Sequence, residues 1–357
     1  MKDNKKIIFK YQSLAIDSVY TFDDGDFIIF GNSELTESGV ITLYSSLYDG
    51  KTLTTKLTLK TPSASCFFDL KKDDEFGMCI NYNFSINKFN SGRTSYEEIQ
   101  PVKLNPFETG RKLIRLLNGD ILFFKYYMGS QSISVFKKRD ELSGSNNSDY
   151  MYNNINNIHI DDLEDIIELN KNQFLGYKRS IITPESLTLT LYDDSYQIIK
   201  KNKIIAEIKD EVYKYKKKIY FTTDLQKYND SKLITAGCNN IYIIDIQTLE
   251  LETTIKLEKT IRTILIRPKG NIFVLTYVQD IYKRDMYRET SPNLVKYFLN
   301  NIKIDFKTNE MIYKNEKDIT EQAGIYNSFF DMYNYPNNGL VVNIDKSKLI
   351  IYDNFDD

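Results

Sequence analysis

The sequence predicts an all-β protein, a β-propeller of seven four-stranded antiparallel blades whose ring is closed by the N-terminal strand. Three observations predict this fold. A turn-and-strand pattern recurs seven times at a mean spacing of about fifty residues, a surplus strand precedes the first copy, and the last copy lacks its fourth strand. Packing such sheets radially buries both of their faces and leaves few exposed edges.

The repeated pattern is a polar turn followed by an apolar run. Asp, Asn and Gly tolerate tight hairpin geometry, while β-branched and aromatic residues suit a buried strand. The seven copies are DDGDFIIFG (23–31), KDDEFGMCI (72–80), LNGDILFFK (117–125), NKNQFLGY (170–177), YNDSKLITAG (228–237), PKGNIFVLTY (268–277) and PNNGLVVNI (336–344). Each copy is interpreted as the second strand of a blade with the turn that precedes it.

Strand-like runs flank every copy. The first strands are predicted at 16–22, 66–70, 112–116, 163–169, 218–224, 261–267 and 328–333. The third strands are predicted at 40–46, 84–89, 133–138, 187–194, 241–246, 301–306 and 348–354. More polar fourth strands follow, for example at 54–60, 204–210 and 251–259. After 348–354 no fourth strand remains, so we expect the N-terminal strand at 5–12 to complete the last blade.

On this reading residues 1–357 form a single propeller with two interruptions. The segment 137–157 is rich in Asn and Ser, and we expect a mobile insertion in the third blade that is cut early by proteases. The segment 279–300 is expected to be a loop insertion between the second and third strands of the sixth blade.

The stretch 218–278 resembles the WD40-repeat family. In IYIIDIQT, Asp245 stands where that family has the Asp of its Trp-Asp pair, and Ile244 replaces the Trp. NIKIDFKT at 301–308 fits similarly, with Asp305. The Gly-His dipeptide is absent, and the chain has no Trp and one His. The resemblance therefore implies a degenerate WD40-like propeller, and with it a scaffold for protein–protein interaction that has no catalytic activity.

Composition narrows the class of protein further. Hydrophobic residues make up 41% and charged residues 27% of the chain, and the formal net charge is −2, so no global field favours nucleic acid or an anionic membrane. No apolar run approaches the roughly 18 residues of a membrane helix. The three scattered Cys suggest neither a disulfide framework nor a metal cluster. We expect a cytoplasmic protein with no cofactor, no metal and no transmembrane segment.

Catalytic signatures are scarce in the sequence. No nucleophile elbow, P-loop, dinucleotide fingerprint or zinc-protease motif occurs, and any triad would need the lone His159. Adjacent carboxylates are the remaining candidates for hydrolytic work, namely Asp73–Asp74, Glu97–Glu98, Asp161–Asp162 and Asp193–Asp194. We interpret them as turn and surface residues, and a propeller hydrolase or lyase with carboxylates in its central funnel is the alternative.

Two segments combine aromatic and basic residues and predict a binding surface. The candidate partner-binding residues are Tyr213, Lys214, Tyr215, Lys217, Tyr282, Arg284, Tyr287 and Arg288. In a propeller, blade-to-blade connections and the loops from second to third strands emerge on one face, so the two segments become neighbours. Tyr and Arg are enriched at interaction hot spots, and we expect an acidic protein or peptide partner within a larger complex. Solvated loops, or an RNA- or anionic-lipid-binding surface, are the alternatives.

Overall fold

The computed structural model describes residues 5–10, 18–35, 41–62, 75–80, 83–103, 108–127, 130–138, 152–155, 163–180, 186–205, 223–267, 270–279, 295–308, 310–320, 331–335, 339–344 and 348–352. Within these ranges the chain forms seven antiparallel sheets, one per blade, with almost no helix. The predicted fold class, an all-β seven-bladed propeller, is confirmed.

The first three blades follow one another along the chain. Blade 1 consists of β2 (Ser18–Thr21), β3 (Phe27–Leu35), β4 (Ile41–Tyr48) and β5 (Thr55–Pro62). The described strands of blade 2 are β6 (Glu75–Ile80), β7 (Asn83–Phe89) and β8 (Tyr96–Lys103). Blade 3 consists of β9 (Glu108–Arg115), β10 (Ile121–Tyr127), β11 (Ser130–Lys138) and β12 (Tyr152–Ile155). The first strand predicted for blade 2, at 66–70, lies outside the described residues.

Blades 4 to 6 repeat the same order from inner to outer strand. Blade 4 consists of β13 (Asp165–Asn170), β14 (Gln173–Ser180), β15 (Ser186–Asp193) and β16 (Ile198–Ile205). Blade 5 consists of β17 (Gln226–Lys227), β18 (Lys232–Gly237), β19 (Asn240–Asp245) and β20 (Leu251–Lys256). Blade 6 consists of β21 (Thr260–Ile266), β22 (Ile272–Gln279), β23 (Val295–Asp305) and β24 (Glu310–Asp318).

The last blade is shared between the two ends of the chain. Its strands are β25 (Asp331–Tyr335), β26 (Gly339–Ile344), β27 (Lys348–Tyr352) and, outermost, β1 (Lys5–Lys10). The antiparallel pairing of β1 with β27 sets Ile7 opposite Ile351 and Phe9 opposite Leu349. The predicted closure by the N-terminal strand is therefore confirmed over the described part of 5–12.

The fourth strand of blade 4 differs from the prediction. It was expected at 204–210, but β16 begins at Ile198 and overlaps that range only at its end. The cause is a tight turn after β15, in which the Tyr196 N–H bonds the Asp193 carbonyl and Tyr196 takes a φ of 64°. This turn reverses the chain at once, so the apolar pair at 198–199 starts the strand.

The boundaries of the two predicted interruptions also change. β23 starts at Val295, so 295–300 belongs to a strand and not to the predicted loop at 279–300, because its alternating side chains pair along the whole of β22. The interval 137–157 contains the end of β11 and all of β12, which completes blade 3. The first strand of blade 5 was predicted at 218–224, of which the structure describes only the residues from Thr223. The first strand that it describes in this blade, β17, begins at Gln226.

The apolar core lies between neighbouring blades, and β19 shows why. Successive side chains of a strand point to opposite faces. Tyr242 and Ile244 pack in a cluster with residues of blade 4, whereas Ile241 and Ile243 pack in a cluster with residues of blade 6. A strand buried on both faces needs a continuous apolar run instead of alternation, which is what the sequence of β19 supplies.

A repeated carboxylate or amide turn joins the third strand to the fourth. Asp245 Oδ1 accepts the N–H groups of Gln247 at 2.9 Å and Thr248 at 2.8 Å, and Leu249 then takes a φ of 58°. Asp49 caps the equivalent turn of blade 1 in the same way, and Leu53 there has a φ of 57°. The repeat of blades therefore extends to this turn.

Asp245 should stabilise the fold in a pH-dependent way. Burial acts to raise the pKa of its carboxyl, but the turn N–H groups and the Lys232 ammonium at 2.9 Å outweigh burial and hold the pKa below 3.8. A lowered pKa means that the stabilisation is present above the ordinary pKa and is lost as the pH falls through the lowered one.

Replacing Asp245 with alanine is therefore expected to reduce the free energy of unfolding by about 1 kcal/mol at neutral pH, because two turn N–H groups lose their acceptor. The difference from wild type should shrink when urea unfolding is repeated at acidic pH, where the native carboxyl is also protonated. Asp245→Asn is the control, because it keeps a side-chain acceptor while it removes the charge. A loss that stays constant across the pH range would contradict this account.

Polar side chains bridge all seven junctions between neighbouring blades. The bridges are Arg93 to Asp26 between blades 1 and 2, Arg115 to Glu75 between 2 and 3, the Leu117 N–H to Glu168 between 3 and 4, Lys227 to the Leu169 carbonyl between 4 and 5, Gln226 to the Ile264 carbonyl between 5 and 6, Asn334 to the Ile266 carbonyl between 6 and 7, and Thr21 to the Asn334 carbonyl between 7 and 1. The ring is thus held by both apolar packing and a circuit of polar contacts.

Candidate interaction surface on the upper face

Strand direction defines two faces of the ring. The lower face carries the turns from first to second and from third to fourth strands, such as 193–197 and 245–250. The upper face carries the turns from second to third strands, such as 237–240, and the blade-to-blade connections. Because strands alternate in direction, Ile205 at the end of β16 and Gln279 at the end of β22 both lie at the upper face.

All eight residues predicted to bind a partner lie outside the described residues. They are Tyr213, Lys214, Tyr215, Lys217, Tyr282, Arg284, Tyr287 and Arg288. The segments that contain them begin and end at described upper-face residues, at Ile205 and Thr223 for the first and at Gln279 and Val295 for the second. We call the described residues at which each segment leaves and rejoins the ring its root, and the two roots differ in their side chains.

The root in blade 6 is aromatic and contains two lysines, of which Lys259 is paired with Glu316. Tyr277 of β22 pairs across the ladder with Tyr297 of β23, with ring centroids 6.4 Å apart. The Lys259 ammonium lies 3.9 Å from the centre of the Phe298 ring, within the range of a cation–π contact. Lys296 is exposed beside them. Burial raises the pKa of the Tyr297 hydroxyl, so this group stays neutral and remains a hydrogen-bond donor at physiological pH.

Tyr297 and Lys296 were not among the predicted site residues. The sequence assigned 279–300 to a loop, so the alternation in VKYFLNN was not used. That alternation, matched against IFVLTYVQ, was the available signal, because antiparallel strands of similar pattern pair directly. The root also exposes Val278, an apolar side chain at the rim of the same segment.

The root in blade 4 is compact and close to neutral. The Arg179 guanidinium contacts the Glu164 carboxylate through Nε at 2.8 Å and Asp224 Oδ1 through an Nη atom at 3.3 Å. Burial acts to lower the pKa of Arg179, but the bond to Glu164 more than offsets this and raises it. Two carboxylates thus contact one guanidinium here, and the lysines predicted to bind on this side of the face, Lys214 and Lys217, lie outside the described residues.

The described carboxylates with least exposure serve the junctions between blades. Asp26 accepts the Lys56 ammonium at 2.7 Å and the Arg93 guanidinium at 3.1 Å, Glu75 is paired with Arg115, and Asp120 accepts the hydroxyl of Tyr196. Such carboxylates are constrained by structural partners rather than held apart as an acid and a base.

The two carboxylate pairs that the structure describes lie away from the centre of the ring. Glu97–Glu98 lies on the outer strand β8 with exposed side chains, and Asp193–Asp194 lies in a lower-face turn, where Asp193 Oδ1 accepts the Ser195 N–H at 2.9 Å. The pairs Asp73–Asp74 and Asp161–Asp162, and also His159, lie outside the described residues. Within the described ranges, no three His, Cys, Asp or Glu side chains come together as a metal site.

The fold defines the class of this protein as a β-propeller. Its structure is similar to Sqt1 of Saccharomyces cerevisiae, at a TM-score of 0.55 and 9% identity over 99% of both chains. It is also similar to PpgL, a periplasmic gluconolactonase of Pseudomonas aeruginosa, at a TM-score of 0.52 and 11% identity over 83% of each chain. A structural-genomics protein of Lactobacillus plantarum gives 0.51 and 10% over 84% of this chain and 83% of that one.

At these identities the similarities establish the fold alone. No protein-family model matches the sequence, and no curated protein matches it. In the part of the chain that the structure describes, no helix is long and apolar enough to cross a lipid bilayer. The particular function must therefore be argued from the surface of this chain.

Proposed function

We propose that the protein is a non-catalytic interaction scaffold of WD40-like type, and that it binds a protein or peptide partner on its upper face. The observation that carries the proposal is the root in blade 6. It brings the partly buried Tyr277, an exposed lysine and an exposed valine to the rim from which the segment with Arg284 and Arg288 departs, beside the buried Tyr297.

Those residue types suit a protein partner. Tyrosine provides contact area at a low cost in side-chain entropy, and arginine provides two parallel hydrogen bonds to a carboxylate. A local concentration of cations on a chain of net charge −2 steers acidic surfaces toward this rim. An acidic protein or peptide is therefore the proposed partner, and cytoplasmic complexes are its proposed setting.

Replacing both Arg284 and Arg288 with glutamate is expected to weaken partner binding by at least about 2 kcal/mol, because attraction becomes repulsion at the centre of the proposed contact. Titration at two salt concentrations should show that the loss is larger at low salt. The matched control is Lys171→Glu with Lys307→Glu, which reverses two exposed charges on the lower face. Equal affinity of the upper-face variant and wild type would refute the proposed surface.

Two other functions remain alternatives. A propeller hydrolase or lyase is compatible with the fold, since PpgL is described as a gluconolactonase. Binding of RNA or anionic lipid is compatible with the lysine- and tyrosine-rich segments. A turnover screen with lactones and esters tests the first alternative, and we expect no turnover. Titration with single-stranded RNA and with anionic vesicles tests the second, and we expect weaker binding than that of the protein partner.

A further inference from the structure

The outer strand of blade 4, β16, carries an unusual surface. Three of its isoleucines are about half exposed, namely Ile198 at 51%, Ile199 at 50% and Ile205 at 51%. Isolated exposed apolar residues are common on protein surfaces. By their ladder partners on β15, Ile198 and Ile205 share one face of the strand with Lys201 and Lys203, and Ile199 lies at a β-bulge. Three exposed isoleucines in a single short strand mark a contact site more often than one does.

Three other outer strands of the described ring are built differently, whereas β1 and β5 share with β16 the presence of lysine and the lack of acidic residues. The strands β8, β20 and β24 each expose one large apolar residue, Tyr96, Leu251 and Ile312 respectively, and each also contains glutamate. β16 has no acidic residue, and its sequence is IIKKNKII. Its lysines at 200, 201 and 203 are all exposed, so the strand exposes apolar and positive side chains and no negative one.

β16 is the last strand of its sheet, and a side-chain clasp holds it in place. Among the described residues, β15 is its only strand partner, so its outer edge faces away from the ring. Asn202 Nδ2 donates to the Leu249 carbonyl at 2.8 Å, and the Lys200 ammonium donates to the Gln247 carbonyl at 3.0 Å, both in the neighbouring blade. An edge that is already anchored loses little entropy when another strand adds to it.

The charge of the strand decides which chain it accepts. Antiparallel pairing of two copies of β16 would set lysines against lysines, and like charges in opposite positions destabilise a ladder. The same lysines attract a strand that carries carboxylates, while the isoleucines accept β-branched apolar side chains. An RNA or a membrane surface would use the cations but would leave the backbone edge without a ladder.

We infer that β16 is a second docking site, which binds an extended acidic segment of another protein as a fifth strand of blade 4. The segment would alternate acidic with β-branched residues. The site lies on the outer rim of the ring, so it does not depend on the upper-face surface proposed above, and each can fail without the other.

The inference can be tested with the purified full chain and three labelled peptides of about eight residues, a length typical of added strands. The first alternates Glu and Val, the second alternates Glu and Pro, and the third alternates Lys and Val. Fluorescence anisotropy should detect binding of the Glu-Val peptide only. The Glu-Pro peptide keeps the charge but lacks ladder donors at every second residue, and the Lys-Val peptide reverses the charge.

Location is tested with hydrogen exchange and with charge reversal. The Glu-Val peptide should slow amide exchange within 198–205, and Lys201→Glu with Lys203→Glu should weaken its binding by about tenfold. The matched control, Lys314→Glu with Lys317→Glu on β24, changes the net charge equally and should leave binding within about twofold.

Several results would overturn the inference. Equal binding of the Glu-Pro and Glu-Val peptides would reduce the effect to unspecific charge attraction. Protection of another strand, or unchanged affinity in the β16 variant, would move the site elsewhere. If the free chain forms a dimer in which 198–205 is protected, the occupant is a second copy of this chain. If polyuridine protects this strand as strongly as the Glu-Val peptide does, the occupant is a nucleic acid.

Discussion

Deletion of residues 1–12 is expected to open the ring and to lower the melting temperature by at least about 5 °C. The deletion removes β1, the strand that pairs with β27 through Ile7, Ile8 and Phe9. Leu349 and Ile350 of β27 are fully buried, and without β1 this strand becomes the open edge of its blade. An unpaired apolar edge recruits other chains, so the truncated protein should also aggregate on heating.

A shorter deletion and an added peptide make this test specific. Deletion of residues 1–4 keeps the whole of β1 and its pairing with β27, so it should leave the melting temperature within about 1 °C of wild type. A synthetic peptide of residues 1–12, added to the truncated protein, should restore part of the lost stability by strand addition. A truncated protein that is monomeric and melts like wild type would show that β1 does not close the ring.

Glu75→Ala is expected to destabilise the protein by about 3 kcal/mol, because it leaves the Arg115 guanidinium buried without its carboxylate partner. The two side chains bridge blades 2 and 3, and their exposed fractions are only 5% and 11%. Breaking one partner of a buried ion pair costs more than the pair contributes as a whole. Urea unfolding of the variant and wild type measures this difference.

Two controls separate the buried charge from the loss of a side chain. Asp230→Ala removes a fully exposed carboxylate that pairs with Lys227, and it should have no measurable effect on stability. The double variant Glu75→Leu with Arg115→Met replaces the pair by apolar groups and should recover most of the loss. If Glu75→Ala is as harmless as Asp230→Ala, the bridge does not hold the junction.

The sequence predicted the architecture because its signals are local. A continuous apolar run such as β19, bounded by turn residues, identifies a strand buried on both faces, and seven such runs at one period identify the ring. The missing fourth strand of the last blade was also a local signal, because the only unassigned strand was at 5–12. Each strand was identified from residues within about ten positions of one another, and the ring followed from comparing such strands along the whole chain.

Other features depended on contacts that no local pattern contains. The start of β16 is set by Tyr196 in a left-handed conformation, which bulky side chains rarely adopt. The bridge from Thr21 to the Asn334 carbonyl joins residues 313 positions apart. At the upper face, the sequence identified segments rich in Tyr, Lys and Arg but missed Tyr297, because its strand was assigned to a loop.

The most direct test of the proposed function is acetylation of surface lysines in the free chain and in the complex with a partner purified from the source cell. Lys178 and Lys296 are exposed at the upper face, whereas Lys51, Lys171 and Lys307 are exposed in lower-face turns. Binding on the upper face predicts that the complex protects the first two lysines and leaves the other three fully reactive. Protection of the lower-face lysines, with Lys178 and Lys296 as reactive as in the free chain, would contradict the account.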